Sequence, residues 1–193
     1  MKRFCVFFGF IILLLPLIST ARGQGKETFT GTVLYYGTGF NTRAYTRLFT
    51  LNINGQTFDA QAQRYLGILQ ENGQDKLLDA IRNEDLGRFS VGPNVGIPIN
   101  VVRESAVNGQ RRIFVVFERW KEFAELRGGY RSLDYPFGVI ELSIDEATGK
   151  GSGTYIAAAQ IRWRHDEKSG QYQVEIENFA TFPAKLLGVT LRK

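Results

Sequence analysis

From Glu27 onward the chain is a succession of β-branched and aromatic runs with polar residues between them, divided by Gly, Asn and Pro. Thr28 to Tyr36 reads as a first strand, followed by a loop through Gly37-Thr38-Gly39 and Asn41. Thr46 to Ile53 reads as a second. Phe49, Leu51 and Ile53 lie on one face of it, Leu48, Thr50 and Asn52 on the other, and Asn54-Gly55 ends it. The period then changes. Phe58, Ala62, Tyr65, Leu66 and Leu69 recur at helical spacing, which predicts an amphipathic helix over about Phe58 to Gln70. Asn72-Gly73 stops it, and Asp75 opens a shorter helix carrying Leu77, Leu78 and Ile81. This helical hairpin is the only α part expected.

The strand pattern returns with Leu86 to Val91 and with Ile97 to Glu104, where Pro98 suits a sheet edge. Asn108-Gly109 is a tight-turn signal leading into Arg111 to Trp120. Phe137 to Ile144 is expected to pair with Gly153 to Arg164. Residues His165 to Gly170 turn the chain into Gln171 to Asn178, and Lys185 to Arg192 closes the series. The sum is a mainly β (α+β) chain. It is expected to form an antiparallel barrel or sandwich of eight or nine strands with an inserted helical hairpin.

Strict alternation places Tyr155, Ala157, Ala159, Ile161 and Trp163 on one face of the longest strand. Arg162 and Arg164 fall on the other, within reach of Glu175 or Glu177. Ala157-Ala158-Ala159 is unusual in a strand. Three small side chains there imply either a large element packed against them or room for a ligand.

The first residues have a different character. Lys2 and Arg3 precede an uncharged apolar run from Val6 to Ile18, and small or polar residues follow from Ser19 to Gly25, apart from Arg22. This is the order of a secretory signal peptide, residues 1–23, with cleavage after Ala21 or Gly23. The run is shorter than the roughly 20 residues of a membrane-spanning helix. Residues 24–193 then form a single β-rich domain in the periplasm or outside the cell. Cys5, the one cysteine, lies in the leader, so the domain would rely on packing rather than disulfides. The leader also carries Lys2, Arg3 and Arg22, so the formal charge of +5 on the whole chain falls to about +2 on the domain. That gives little reason to expect a nucleic-acid partner.

Most catalytic signatures are missing. His165 is the only histidine, beside Asp166 in an expected turn, and no Gly-x-Ser-x-Gly elbow accompanies it. Lys150 is followed by Gly151 rather than Ser or Thr, which rules out a phosphate loop. Asp145-Glu146-Ala147-Thr148 lacks the spaced oxygens of a calcium loop, and Gly37-Thr38-Gly39 lacks the third glycine of a dinucleotide site. No catalytic residue, cofactor or metal is therefore assigned. A pair of carboxylates, as in glycoside hydrolysis, leaves no sequence signature.

The segment Arg119 to Phe137 is longer than a hairpin connection and dense in rings and charges. Trp120, Tyr130 and Tyr135 are candidate stacking residues. Arg127 and Arg131 are candidate anion ligands, with Asp134 orienting either arginine. The structural alternative is a loop fastened by an Arg131–Asp134 ion pair.

Several stretches recur together in a known pattern: Arg111-Arg112-Ile113, Arg131-Ser132-Leu133-Asp134-Tyr135-Pro136-Phe137, Gly149-Lys150-Gly151-Ser152-Gly153, and Glu177-Asn178-Phe179 before Pro183. With the helical Asn72-Gly73-Gln74-Asp75 segment, they resemble a family of small exported proteins of acidobacterial-type soil bacteria. The resemblance implies export and a single domain, and carries over no catalytic residue. The expected role is a non-enzymatic binding module for a small apolar or anionic ligand. The alternatives are an envelope component that contacts another protein and a small acid-dependent hydrolase.

Overall fold

The computed structural model describes residues 25–37, 43–121, 123–128, 130–166, 171–179 and 182–192. The leader expected over residues 1–23 lies outside them, as does the greater part of the turn expected at His165 to Gly170. His165 and Asp166 themselves continue a strand, opposite Tyr172 and Gln171.

The elements in chain order are β1 (Glu27–Tyr35), β2 (Tyr45–Ile53), α1 (Asp59–Ile81), β3 (Gly87–Val91), β4 (Ile97–Pro98), β5 (Val101–Val107) and β6 (Gln110–Glu118). There follow α2 (Phe123–Gly128), a 3-10 turn (Arg131–Asp134), β7 (Phe137–Asp145), β8 (Lys150–Asp166), β9 (Gln171–Asn178) and β10 (Ala184–Arg192). The strands form one antiparallel sheet in the order β4-β3-β2-β1-β10-β8-β7-β6-β5, and β9 pairs with the far half of β8.

β4 and β5 stand at opposite ends of that order, yet only Ile99 and Asn100 separate them in the chain. The sheet must therefore curl until its ends approach, giving a half-barrel rather than two facing sheets. Ile99 N–H donates to Gly87 O and Ile99 O accepts Leu86 N–H on one side of the junction, while Asn100 N–H donates to Val116 O on the other. The single strand expected over Ile97 to Glu104 is thus two strands, one for each end of the sheet. The buried Asn100 side chain secures the bend. Its Nδ2 donates to Glu84 O at 2.7 Å and Arg82 O at 3.4 Å, and its Oδ1 accepts Glu118 N–H at 2.9 Å.

Inward residues of most strands fill the half-barrel, among them Phe29, Phe49, Phe89, Ile113, Phe117, Leu142 and Leu186. Phe117 fits because its cross-strand partner is Gly138. A Cβ on Gly138 would stand 2.2 Å from the Phe117 ring. The two-residue turn Asn108-Gly109 has positive φ at both positions, 53° and 74°, as a right-twisted hairpin requires.

A second apolar cluster lies on the outer face. Tyr65, Leu69, Leu77, Leu78 and Ile81 of α1 pack on Val116, Phe137, Val139, Ala159 and Ile161. The helical pair expected from sequence is present as two segments joined at Gly73, whose backbone (φ 79°, ψ −175°) leaves the helix. Phe58 lies just before the helix and is exposed, so it does not belong to the buried stripe. The connection from β6 to β7 adds α2 and the 3-10 turn, helical pieces that the sequence pattern does not show.

The alanine run marks a β-bulge. Val139 pairs with Ile156 and Phe137 with Ala159, so β8 has one residue more than β7 between these pairs. The extra residue reverses the alternation. Tyr155 points into the half-barrel, while Ala159 and Ile161 point outward beneath α1, with Trp163 packed alongside. The single face expected to carry Tyr155, Ala159, Ile161 and Trp163 does not exist. Beyond the bulge, Arg164 contacts Glu175 at 2.7 Å and Arg162 contacts Glu177 at 3.4 Å, as the strand pattern implies.

Candidate functional site

The half-barrel has two unlike ends. At the end formed by the start of β1, Arg111 enters the interior and bonds two carboxylates, Glu27 of β1 at 2.5 and 2.9 Å and Glu104 of β5 at 2.6 and 2.9 Å. Its guanidinium also lies 5.8 Å from the centre of the Phe29 ring. β10, β8 and β7 separate β1 from β6 in the sheet, so the Glu27–Arg111 pair bridges the curl. Burial opposes the charge on Arg111, but hydrogen bonds and attraction from Glu27 and Glu104 outweigh it and raise its pKa. Two acids so tightly held by one arginine are poor candidates for acid–base catalysis.

The opposite end is a cavity of about 340 Å³. Tyr35 and Tyr36 reach it from the end of β1, Tyr45 from the start of β2, and Tyr155, Ala157 and Ala158 from the bulge of β8. Phe179, Phe182 and Ala184 line the side where β9 leads into β10. The bulge decides the shape here. It places alanines, which add little bulk, beside a ring-rich wall.

The rings are in contact with one another. Tyr35 stacks on Tyr45 with centroids 4.9 Å apart and meets Tyr155 edge-on at 6.4 Å. Tyr36 meets Phe182 at 6.0 Å. Tyr155 in turn packs on Phe89 at 5.0 Å, which joins the cavity floor to the core. Burial, with the neighbouring Tyr45 hydroxyl, pushes Tyr35 up to about 12, against a smaller opposing effect of Arg47. Burial likewise raises Tyr155 above the ordinary range, then Tyr35 adds to it and Arg119 opposes. Both are neutral phenols near pH 7.

The residues singled out in the sequence do not converge on this cavity. Trp120 is 76% exposed and borders a separate, more open cleft of about 340 Å³ with Arg82, Pro98, Glu118 and Lys121. Arg127 and Tyr130 are exposed around α2, and Arg131 and Asp134 are exposed on the 3-10 turn. Tyr135 alone is buried. Its hydroxyl donates to Glu177 Oε1 at 2.6 Å, which raises its pKa, and its ring packs on Phe179 at 5.1 Å, behind the cavity wall.

Among the described residues no Arg131–Asp134 pair fastens this segment. Arg119 does so instead. Its side chain donates to Tyr135 O at 2.7 Å, Ser132 O at 2.8 Å and Trp120 O at 3.2 Å, and its backbone N–H donates to Pro136 O. Gln74, next to the helix break, adds a tie from Nε2 to Asp134 O at 3.0 Å.

Sequence reasoning flagged the alanines but missed the tyrosines. The available signal was three tyrosines, Tyr35, Tyr36 and Tyr45, at the two ends of one hairpin loop. Among the described residues no three His, Cys, Asp or Glu side chains gather as a metal site, and no helix is long and apolar enough to cross a membrane. Comparison with protein-family models, with curated proteins and with solved structures finds no match to this chain.

Proposed function

We propose that this chain is an exported, non-enzymatic binding module that holds a small molecule in the aromatic cavity at the open end of the half-barrel. The observation that carries the reading is the cavity itself. Its volume of about 340 Å³ reaches the roughly 300 Å³ at which ligand pockets begin, as do two other clefts of about 340 and 330 Å³, so its ring-lined wall and not its size sets it apart. Rings from β1, β2 and the β9–β10 connection converge on it, and the bulge of β8 keeps Ala157 and Ala158 beside them. The apolar run Val6 to Ile18 after Lys2 and Arg3 supports export to the periplasm or beyond. So does the resemblance to small exported proteins of acidobacterial-type soil bacteria.

The test compares native and denatured masses of the protein recovered from the cells that make it. A mass excess seen only in the native spectrum, and lost in a Tyr45→Ala variant, supports the reading. A bare native mass opposes it.

A second reading, contact with an envelope protein, is favoured by one observation. Trp120, Leu126 and Tyr130 are 76%, 56% and 58% exposed on the β6–β7 connection. Such exposed rings are typical of protein-contact surfaces. Chemical crosslinking that captures one defined partner, and fails after Trp120→Ala, supports that reading over the first.

A further inference from the structure

We infer that the aromatic cavity selects a planar, uncharged aromatic ring that carries a hydrogen-bond-accepting oxygen. This rests on the binding reading above and names its ligand class.

Shape favours a flat ring. Tyr35 and Tyr45 already form a stack with planes 17° apart, and Tyr45 remains 48% exposed, so ring surface is left for a further partner. Ala157, Ala158 and Ala184 contribute only methyl groups to the lining.

Depth disfavours a long chain. Phe89 and Phe117 are fully packed below Tyr155, and Leu186 fills the core nearby. An acyl tail has no channel into the half-barrel.

Charge disfavours ions. Among the described residues the lining has no charged side chain. An ion placed there would lose hydration with no charged side chain of the lining in contact with it. A cation would also meet the fields of Arg47 and Arg119, which act on Tyr35 and Tyr155.

Hydrogen bonding supplies the last element. Tyr35 and Tyr155 stay protonated, and their hydroxyls meet no hydrogen-bond partner among the described residues. They are available to donate to a ligand oxygen.

The experiment titrates the purified protein by calorimetry with four probes: 2-naphthol, 1-decanol, 2-naphthoate and tetramethylammonium. The expected result is one saturable site for 2-naphthol, with the other three at least ten-fold weaker. Tyr45→Ala should weaken 2-naphthol at least five-fold, and Ala157→Phe, which fills the cavity, should abolish binding while circular dichroism shows both variants folded. If another probe binds as tightly as 2-naphthol and is lost in Ala157→Phe, the ligand class is wrong and the binding reading stands. Binding of 2-naphthol that ignores both variants overturns the assignment to this cavity. No saturable binding by any probe overturns the ligand class, and a bare native mass then removes the binding reading with it.

Discussion

Tyr35 and Tyr45 are direct cross-strand partners on β1 and β2, and their rings stack with centroids 4.9 Å apart. Such a pair holds the end of a hairpin together. Here it also forms one wall of a cavity, so the contact that stabilises the hairpin also presents ring surface to solvent.

Alkaline titration should reveal the environment of these phenols. Burial raises Tyr35 to about 12, so the folded protein keeps its proton where the unfolded chain, near the ordinary value of 10.0, loses it. This contribution to stability is complete below about pH 10 and is lost as pH rises from 10 towards 12. Urea midpoints measured between pH 8 and 11.5 should fall over the upper part of that range. Tyrosinate absorbance should show a fraction of the tyrosines titrating late. A flat midpoint with all tyrosines titrating together near 10 would contradict the burial.

Arg111→Met leaves the partly buried Glu27 and Glu104 without their shared counter-charge. Removing one member of a fully buried charged cluster costs about 3–5 kcal/mol, and the partial exposure of both glutamates places this one lower, at about 2–3 kcal/mol. Equilibrium unfolding should register a loss of that order. Because the cluster sits at the end away from the cavity, ligand affinity of the folded variant should be unchanged.

Arg119 and Arg131 should behave oppositely. Arg119→Ala removes side-chain bonds to three carbonyls, and each bond to a charged donor contributes about 1.5–3 kcal/mol, not additively. A loss of about 2–4 kcal/mol is expected. The exposed Arg131 should change stability by less than about 0.5 kcal/mol when truncated. Urea unfolding of the two alanine variants decides between them.

Gly73→Ala tests the helix break. No atom lies within 4 Å of the added Cβ, so the cost comes from the backbone alone. At φ 79° and ψ −175° that cost is about 1–3 kcal/mol, read as a lowered denaturant midpoint.

These contrasts also show what a sequence carries. Asn108-Gly109 and Gly73 are legible because each needs a backbone conformation that few residues adopt, and local chemistry reports it. The outer stripe of α1 is legible for the same local reason, its helical period. The faces of β8 are not, because one inserted residue at the alanine run reverses the alternation, and three small side chains signal close packing or space there rather than an insertion. Glu27 and Arg111 are 84 positions apart, and only the curl of the sheet unites them. The cavity is hidden likewise, since its rings come from the ends of different strands. Arg119 and Arg131 look equivalent in composition, and the three carbonyls that the half-buried Arg119 bonds separate them.

The most direct measurement is a nuclear magnetic resonance titration of the labelled protein with 2-naphthol, read residue by residue. Shifts are expected to concentrate at Tyr35, Tyr45, Ala157, Ala158 and Ala184, with Trp120, Arg127 and Arg131 unmoved. Shifts centred on Trp120 to Arg131, or none at all, would contradict a ligand site at the open end of the half-barrel.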